Sequence, residues 1–258
     1  YAEQLQTSDY QEVAEVLEQF ALPEKNIISD DEKIQYLQRA ICIRDTLRQV
    51  IEKSNTQQTL AGVHFWRGES AAAESLIIIS IRSLDTLKKA NYRIEEGVHF
   101  LSELYEQSGR SPQAISLLNR AEVRVGDTSK GGMVLSALEI ASHRGWIALR
   151  QKDTLLSSKI FQKTVDRAKS MDNAKELSFL TAKYILDLCY IQLVLGHREQ
   201  ALEQFAWLKE KTDSDMLHRL YGTVNKTDTT QYVSPCNVWR NRRSKAHAYV
   251  LAQLLASE

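Results

Sequence analysis

The stretch Ile94–Arg124, IEEGVHFLSELYEQSGRSPQAISLLNRAEVR, decides the fold. Its first half carries Val98, Leu101, Leu104 and Tyr105 at helical spacing, so one face of a helix is apolar. Gly109 follows where a helix end needs a left-handed residue, a conformation that costs glycine little. Ser111-Pro112 then opens a second helix, because a hydroxyl can accept from a free first-turn N–H and proline has none to leave unpaired. Ala114, Leu117, Leu118 and Ala121 share one face of that helix. Two helices joined by so short a turn form an antiparallel hairpin.

The same plan recurs along the chain. Gly196, Ala201 and Phe205 repeat the places of Gly109, Ala114 and Leu118, and Gly145, Ser157 and Phe161 mark a hairpin between them. Ala114, Ser157 and Ala201 are spaced by 43 and 44 residues, and a step back of 43 from Ala114 reaches Ala71 in the run Ala71-Ala72-Ala73. The order Leu101, Tyr105, Gly109, Ala114, Leu118, Ala121 resembles the tetratricopeptide repeat, with its succession of large, aromatic, glycine, small, large and small residues. Its usual period is about 34 residues, so the longer period here predicts longer helices, as in extended members of the superfamily. The resemblance implies an all-α fold, a right-handed α-α superhelix of antiparallel hairpins, with the first helices lining a concave binding face.

The flanks carry weaker versions of the plan. Val13, Val16, Leu17 and Phe20 share a face, and Ser29-Asp30-Asp31-Glu32 reads as a capping box opening a helix with Ile34, Leu37, Ile41 and Cys42 inward. The loop from Pro23 to Ile28 is long for a hairpin turn, and Thr223–Gln231 is a polar loop. Trp239–Leu255 resumes as a helix with Trp239, Ala246, Tyr249, Val250 and Leu254 inward, placed to cap the array. The expected division is a degenerate hairpin over 1–55, about four repeat hairpins over 56–212, and a loop with a capping helix over 213–258. A start at Tyr1 without Met reads as a piece of a larger protein.

Composition narrows the function. The 258 residues are 43% hydrophobic and 26% charged, which suits a globular core rather than a disordered chain. Ten Gly and three Pro are too few for the turns of a β-sandwich or barrel. Lys plus Arg equals Asp plus Glu at 33 each, so no basic excess marks a nucleic-acid or membrane-surface binder, and no apolar run is long enough to span a bilayer. Cys42, Cys189 and Cys236 lie far apart, which reads as reduced thiols of a cytoplasmic or nuclear protein, the first two on core faces. Asn225-Lys226-Thr227 matches a glycosylation sequon by chance.

No catalytic or cofactor motif emerges. The six histidines make no i, i+4 pair and no Cys-x-x-Cys occurs, so no metal site is expected. Gly126–Gly132 lacks the lysine-hydroxyl ending of a phosphate loop, and no glycine-serine-glycine elbow is present. The reading is a non-enzymatic scaffold, without cofactor and off the membrane, that holds a partner peptide or helix. The register implied by the repeat resemblance puts His99, Glu103, Glu106, Trp146, Arg150 and Tyr190 on the concave face with Lys183 nearby, although Trp146 and Tyr190 equally suit hairpin cores. A basic cluster, Arg240, Arg242, Arg243 and Lys245 beside Trp239 and His247, reads as a solvated helix face, with a protein contact or a nucleic-acid contact as alternatives. A sensor array that changes curvature around a small peptide or ligand is the further alternative.

Overall fold

The computed structural model describes residues 7–22, 28–87, 91–126, 131–171, 179–212 and 235–255. These form eleven helices and no strand. In chain order they are α1 (Thr7–Phe20), α2 (Asp30–Thr46), α3 (Val50–Trp66), α4 (Ser70–Asp85), α5 (Asn91–Gln107), α6 (Ser111–Gly126), α7 (Gly131–Arg150), α8 (Thr154–Met171), α9 (Phe179–Val194), α10 (Arg198–Lys211) and α11 (Pro235–Leu255). The chain divides into two compact units, the first comprising residues 1–114 and 230–236, the second residues 115–229 and 237–258, which include most of α11.

Five turns are built alike. Arg48, Gly68, Gly109, Lys152 and Gly196 all have positive φ. At each, the residue's own N–H and the next one reach back to carbonyls of the last helical turn, as from Gly109 to Glu106 (3.1 Å) and from Arg110 to Tyr105 (2.7 Å). This satisfies carbonyls that a helix end leaves unpaired. Gly145 is therefore not a turn glycine: it lies inside α7, and the turn falls at Lys152. Its role is close approach, because a Cβ at Gly145 would stand 2.6 Å from Phe161 Cε1. Ser157 uses the same proximity to donate to the Gly145 carbonyl at 2.9 Å.

Counting seven residues back from the turns at Gly68, Gly109, Lys152 and Gly196 reaches Ala61, Ser102, Gly145 and Cys189, all buried. Ala73, Ala114, Ser157 and Ala201 are the buried small residues of the second helices, and Ile77, Leu118, Phe161 and Phe205 the buried large ones. The small residue of the α3–α4 hairpin is thus Ala73; Ala71 is exposed. Small side chains let paired helices approach, and the large ones fill the space beside them.

In the first unit, Ala21, Leu37, Leu60 and Val63 form a core with Ile34, Ile41 and Leu76 against it. The Ser29–Glu32 capping box opens α2 as the sequence predicts. The expected boundary at residue 55 falls inside the continuous helix α3. On α1 the buried residue is Ala14, with Ala21 just past the helix end, while Val13, Val16 and Phe20 are exposed and Leu17 is half-buried: the alanine edge and not the bulky stripe faces the core. Cys42 is exposed as well, one position round the helix from the inward face of α2. In the second unit the core runs from Leu138 and Phe161 through Ile185, Leu188 and Phe205 to Val250, Leu251 and Leu254 of α11. Cys189 is buried there, and burial pushes its thiol up to about 12, so it stays protonated and inert. The loops Pro23–Ile28 (residues 23–27), Gly126–Gly132 (residues 127–130) and Thr223–Gln231, the sequon, and the side chains of Cys236, Trp239 and Arg240 lie outside the described residues.

Candidate functional site: an aromatic and cationic cavity in the second unit

Helices α7, α9 and α11 of the second unit enclose a cavity of about 620 Å³. Trp146, Leu149 and Arg150 line it from α7, and Tyr190, Leu193 and Val194 from α9. Trp146 and Tyr190 each stand six residues before their turn, so the repeat sets them in line on successive first helices. Their rings are 5.2 Å apart between centroids, and Trp146 also packs edge-on to Phe161 at 5.7 Å. Trp146 is thus both a core residue and the floor of the cavity. The far wall is one face of α11, carrying Arg242, Lys245, Ala246 and Tyr249. Their i, i+3, i+4, i+7 spacing is that of one helical stripe, and the Tyr249 ring lies 6.2 Å from Tyr190.

Behind this wall lies a buried polar network centred on Asp187 of α9, a residue with no solvent exposure. Its Oδ1 accepts from Arg243 Nε at 2.9 Å and Trp146 Nε1 at 3.2 Å, and lies 2.8 Å from His247 Nε2. Its Oδ2 accepts from Ser142 Oγ at 2.8 Å and lies 2.7 Å from Arg243 Nη2. Arg243 Nη1 donates to Glu139 Oε2 at 3.1 Å, and the Tyr184 hydroxyl donates to Glu139 Oε1 at 3.2 Å. Burial would push the Asp187 carboxyl up, but the Arg243 charge and the His247 contact outweigh it and hold the group below the usual carboxylate range. Burial pushes the His247 imidazole down, against the pull of Asp187, so it is neutral near pH 7. Burial likewise raises the Tyr184 hydroxyl, which remains a donor.

The two residue sets singled out in the sequence therefore meet in part. Trp146, Arg150 and Tyr190 from the repeat register, and Arg242 and Lys245 from the basic cluster, line one cavity. Arg243 departs from the expected basic surface: it is buried and ion-paired, since it falls on the opposite flank of α11. His99 and Glu103 have no solvent exposure, so as the chain stands they offer a partner no surface. Glu106 and Lys183 are half-buried and do not line the cavity. Tyr249 faces the cavity rather than the core and is half exposed. Sequence reasoning missed Asp187, Glu139, Ser142 and Tyr184. A signal existed for Asp187, the single acid inside the apolar helix FLTAKYILDLCYIQLV, since a lone carboxylate in such a setting needs buried partners.

Among the described residues no group of His, Cys, Asp and Glu is arranged to hold a metal ion, and no helix is long and apolar enough to cross a membrane.

No family model and no curated protein matches this chain in sequence. Solved structures do match it. A Podospora anserina protein described as a putative kinesin light chain with nearly identical TPR-like repeats aligns with a TM-score of 0.56 at 14% identity, covering 80% of this chain and 95% of that one. A single-substitution variant of the same protein aligns with the same TM-score and identity, over 79% of this chain and 94% of that one. BtubC (BKLC) from P. vanneervenii aligns with a TM-score of 0.56 at 12% identity, over 89% of this chain and 92% of that one. Likeness at such low identity concerns the fold, and the hairpins, turns and close-approach positions described above are the physical basis of it. The fold of this chain is that of a TPR-like helical repeat.

Proposed function

We propose that the chain is a non-catalytic protein-interaction scaffold of a larger cytoplasmic or nuclear assembly, and that its second unit holds an acidic peptide or helix of a partner in the cavity between α7, α9 and α11. The described residues that line that cavity carry the reading: three aromatic rings, two leucines and three cations, with no carboxylate among these described residues. Aromatic and arginine side chains supply most of the binding energy at protein interfaces. The volume lies in the range of sites that take a compact group rather than a flat surface. A cationic lining favours a segment bearing carboxylates and speeds its encounter. TPR-like arrays serve in general as protein-holding surfaces, although a fold alone selects no partner. A nucleic-acid contact is less well supported, because Arg243 of the basic cluster is taken up by Asp187 and Glu139.

The test is a fluorescence-polarisation titration with labelled peptides that carry an aromatic residue beside either acidic or basic residues. The acidic series binds, and each of the double variants Trp146→Ala/Tyr190→Ala and Arg242→Glu/Lys245→Glu weakens it at least tenfold while keeping a wild-type circular dichroism spectrum. Binding indifferent to peptide charge, or unaffected by both variants, overturns the reading.

A further inference from the structure

The two halves of α11 are seated by different forces. Toward its C-terminus, Val250, Leu251 and Leu254 are buried in the core of the second unit. Between residues 242 and 249 the buried side chains are Arg243, Ala246 and His247. Ala246 is the one apolar residue among these; the remaining buried carbon belongs to the Arg243 stem and the His247 ring, whose places are set by where their polar ends bond. What this half does contribute is Arg243 and His247, and both end on Asp187.

Hydrophobic burial is non-directional, whereas hydrogen bonds to a carboxylate fix angle as well as distance. On a helix each residue turns the side chain by about 100°, so a one-residue rotation of α11 would carry Arg243 toward the cavity and Arg242 away from it. The same carboxylate also holds the indole N–H of Trp146, the floor of the cavity. One buried group thus touches both the floor and the wall of the site.

We infer that Asp187 is the positioning residue of the groove: by clamping Arg243, His247 and Trp146 it sets the rotation of α11, so that Arg242, Lys245 and Tyr249 face the Trp146–Tyr190 floor. The inference rests on the groove reading above for its functional consequence. Its structural content stands separately.

The variant is Asp187→Asn. It keeps the shape but sets an amide N–H₂ and a lost charge against Arg243, whose cation keeps its pair with Glu139. Amide hydrogen exchange is read segment by segment by mass spectrometry, on the whole chain. Expected is a rise of at least 100-fold in exchange over residues 242–249, with α8, α9 and α10 keeping their protection. Acidic-peptide affinity falls at least tenfold in parallel. His247→Gln, a milder loss on α11 itself, gives the same segmental pattern at smaller amplitude and serves should Asp187→Asn fail to fold. Unchanged exchange in 242–249 overturns the inference. So does equal loss of protection throughout the second unit in both variants, because Asp187 would then be a general core residue. A wild-type chain that binds no acidic peptide, with the segmental opening still seen in the variants, sinks the groove reading and leaves the positioning role intact.

Discussion

The two units lay the same backbone register out with different chemistry. Six, three and two residues before the turn, the second unit has Trp146, Leu149 and Arg150 on α7, and Tyr190, Leu193 and Val194 on α9. At those places the first unit has Gly62, Phe65 and Trp66 on α3, and Glu103, Glu106 and Gln107 on α5. Aromatic and cationic groups line one, while the other pairs aromatics with acids. Buried charge is handled differently as well. In the first unit Arg44 donates to Glu18 at 2.9 and 3.1 Å and to Gln49 at 2.7 Å, with Thr56 adding a bond to Glu18 at 2.6 Å. Glu18 keeps 24% of its side chain exposed. In the second unit Asp187 has none. The repeat thus fixes where side chains stand, and the residue written at each place decides whether the place becomes core, surface or site.

The sharpest way to break this contrast is to remove the cation from each network. Arg243→Ala strands the Asp187 carboxylate away from water, and urea titration is expected to show a loss of about 3–5 kcal/mol. Arg44→Ala leaves Glu18 able to turn to solvent, so its loss is smaller, about 1–2 kcal/mol. Equal losses would mean the difference in burial has no energetic meaning.

Close approach gives a second comparison. A Cβ at Gly145 would meet three Phe161 ring atoms at 2.6 to 3.0 Å, whereas one at Gly97 in the first unit comes that close to a single atom, Cγ1 of the half-buried Ile81 at 2.9 Å. A ring held in the core between Trp146 and its neighbours has little room to yield. Gly145→Ala is expected to cost about 1–3 kcal/mol through overpacking, and Gly97→Ala less, as read from thermal unfolding. A larger effect at Gly97 would reverse the ranking.

Acid titration is the gentlest probe. His247 is depressed below its ordinary value near 6.5, so its contribution to the docked state is complete above that pH and is lost progressively as pH falls toward the depressed value. The groups that act on it are Asp187, which opposes the shift, and Arg243 and Lys183, which reinforce it, with Glu139 and Tyr184 completing the network. Exchange over 242–249, taken relative to the intrinsic amide rate at each pH, should therefore rise as pH falls below about 6.5, while α1 and α2 of the first unit stay flat. His247→Gln should flatten that slope. A slope that survives the substitution would assign the response to another group.

Much of the repeat was legible because its signals are local and periodic. The stripe Val98, Leu101, Leu104 and the face Ala114, Leu118, Ala121 are buried as their spacing predicts. The turns were legible at Gly109 and Gly196 but not at Arg48 and Lys152, because a left-handed lysine or arginine has no compositional mark. On α1 the bulky residues share a face by their spacing yet stay largely exposed, because what a helix buries depends on the neighbour's shape as well as on side-chain size. Within the site, Trp146, Arg150 and Tyr190 follow from the register, but the side chains that bond Asp187 directly, Ser142, Trp146, Arg243 and His247, lie 41 to 60 residues from it in sequence.

By itself, then, the sequence determined the helices, the hairpin plan and its period of about 43 residues. Each of these rests on contacts between residues near in sequence, where apolar spacing, glycine and caps act directly. Only the tertiary structure decided that α11 stands against α7 and α9, and that Arg242 and Arg243, adjacent in the chain, end on opposite sides of one wall. Burying a charge is costly unless a partner meets it, and Arg243 found its partners on helices α7 and α9, more than fifty residues away in sequence.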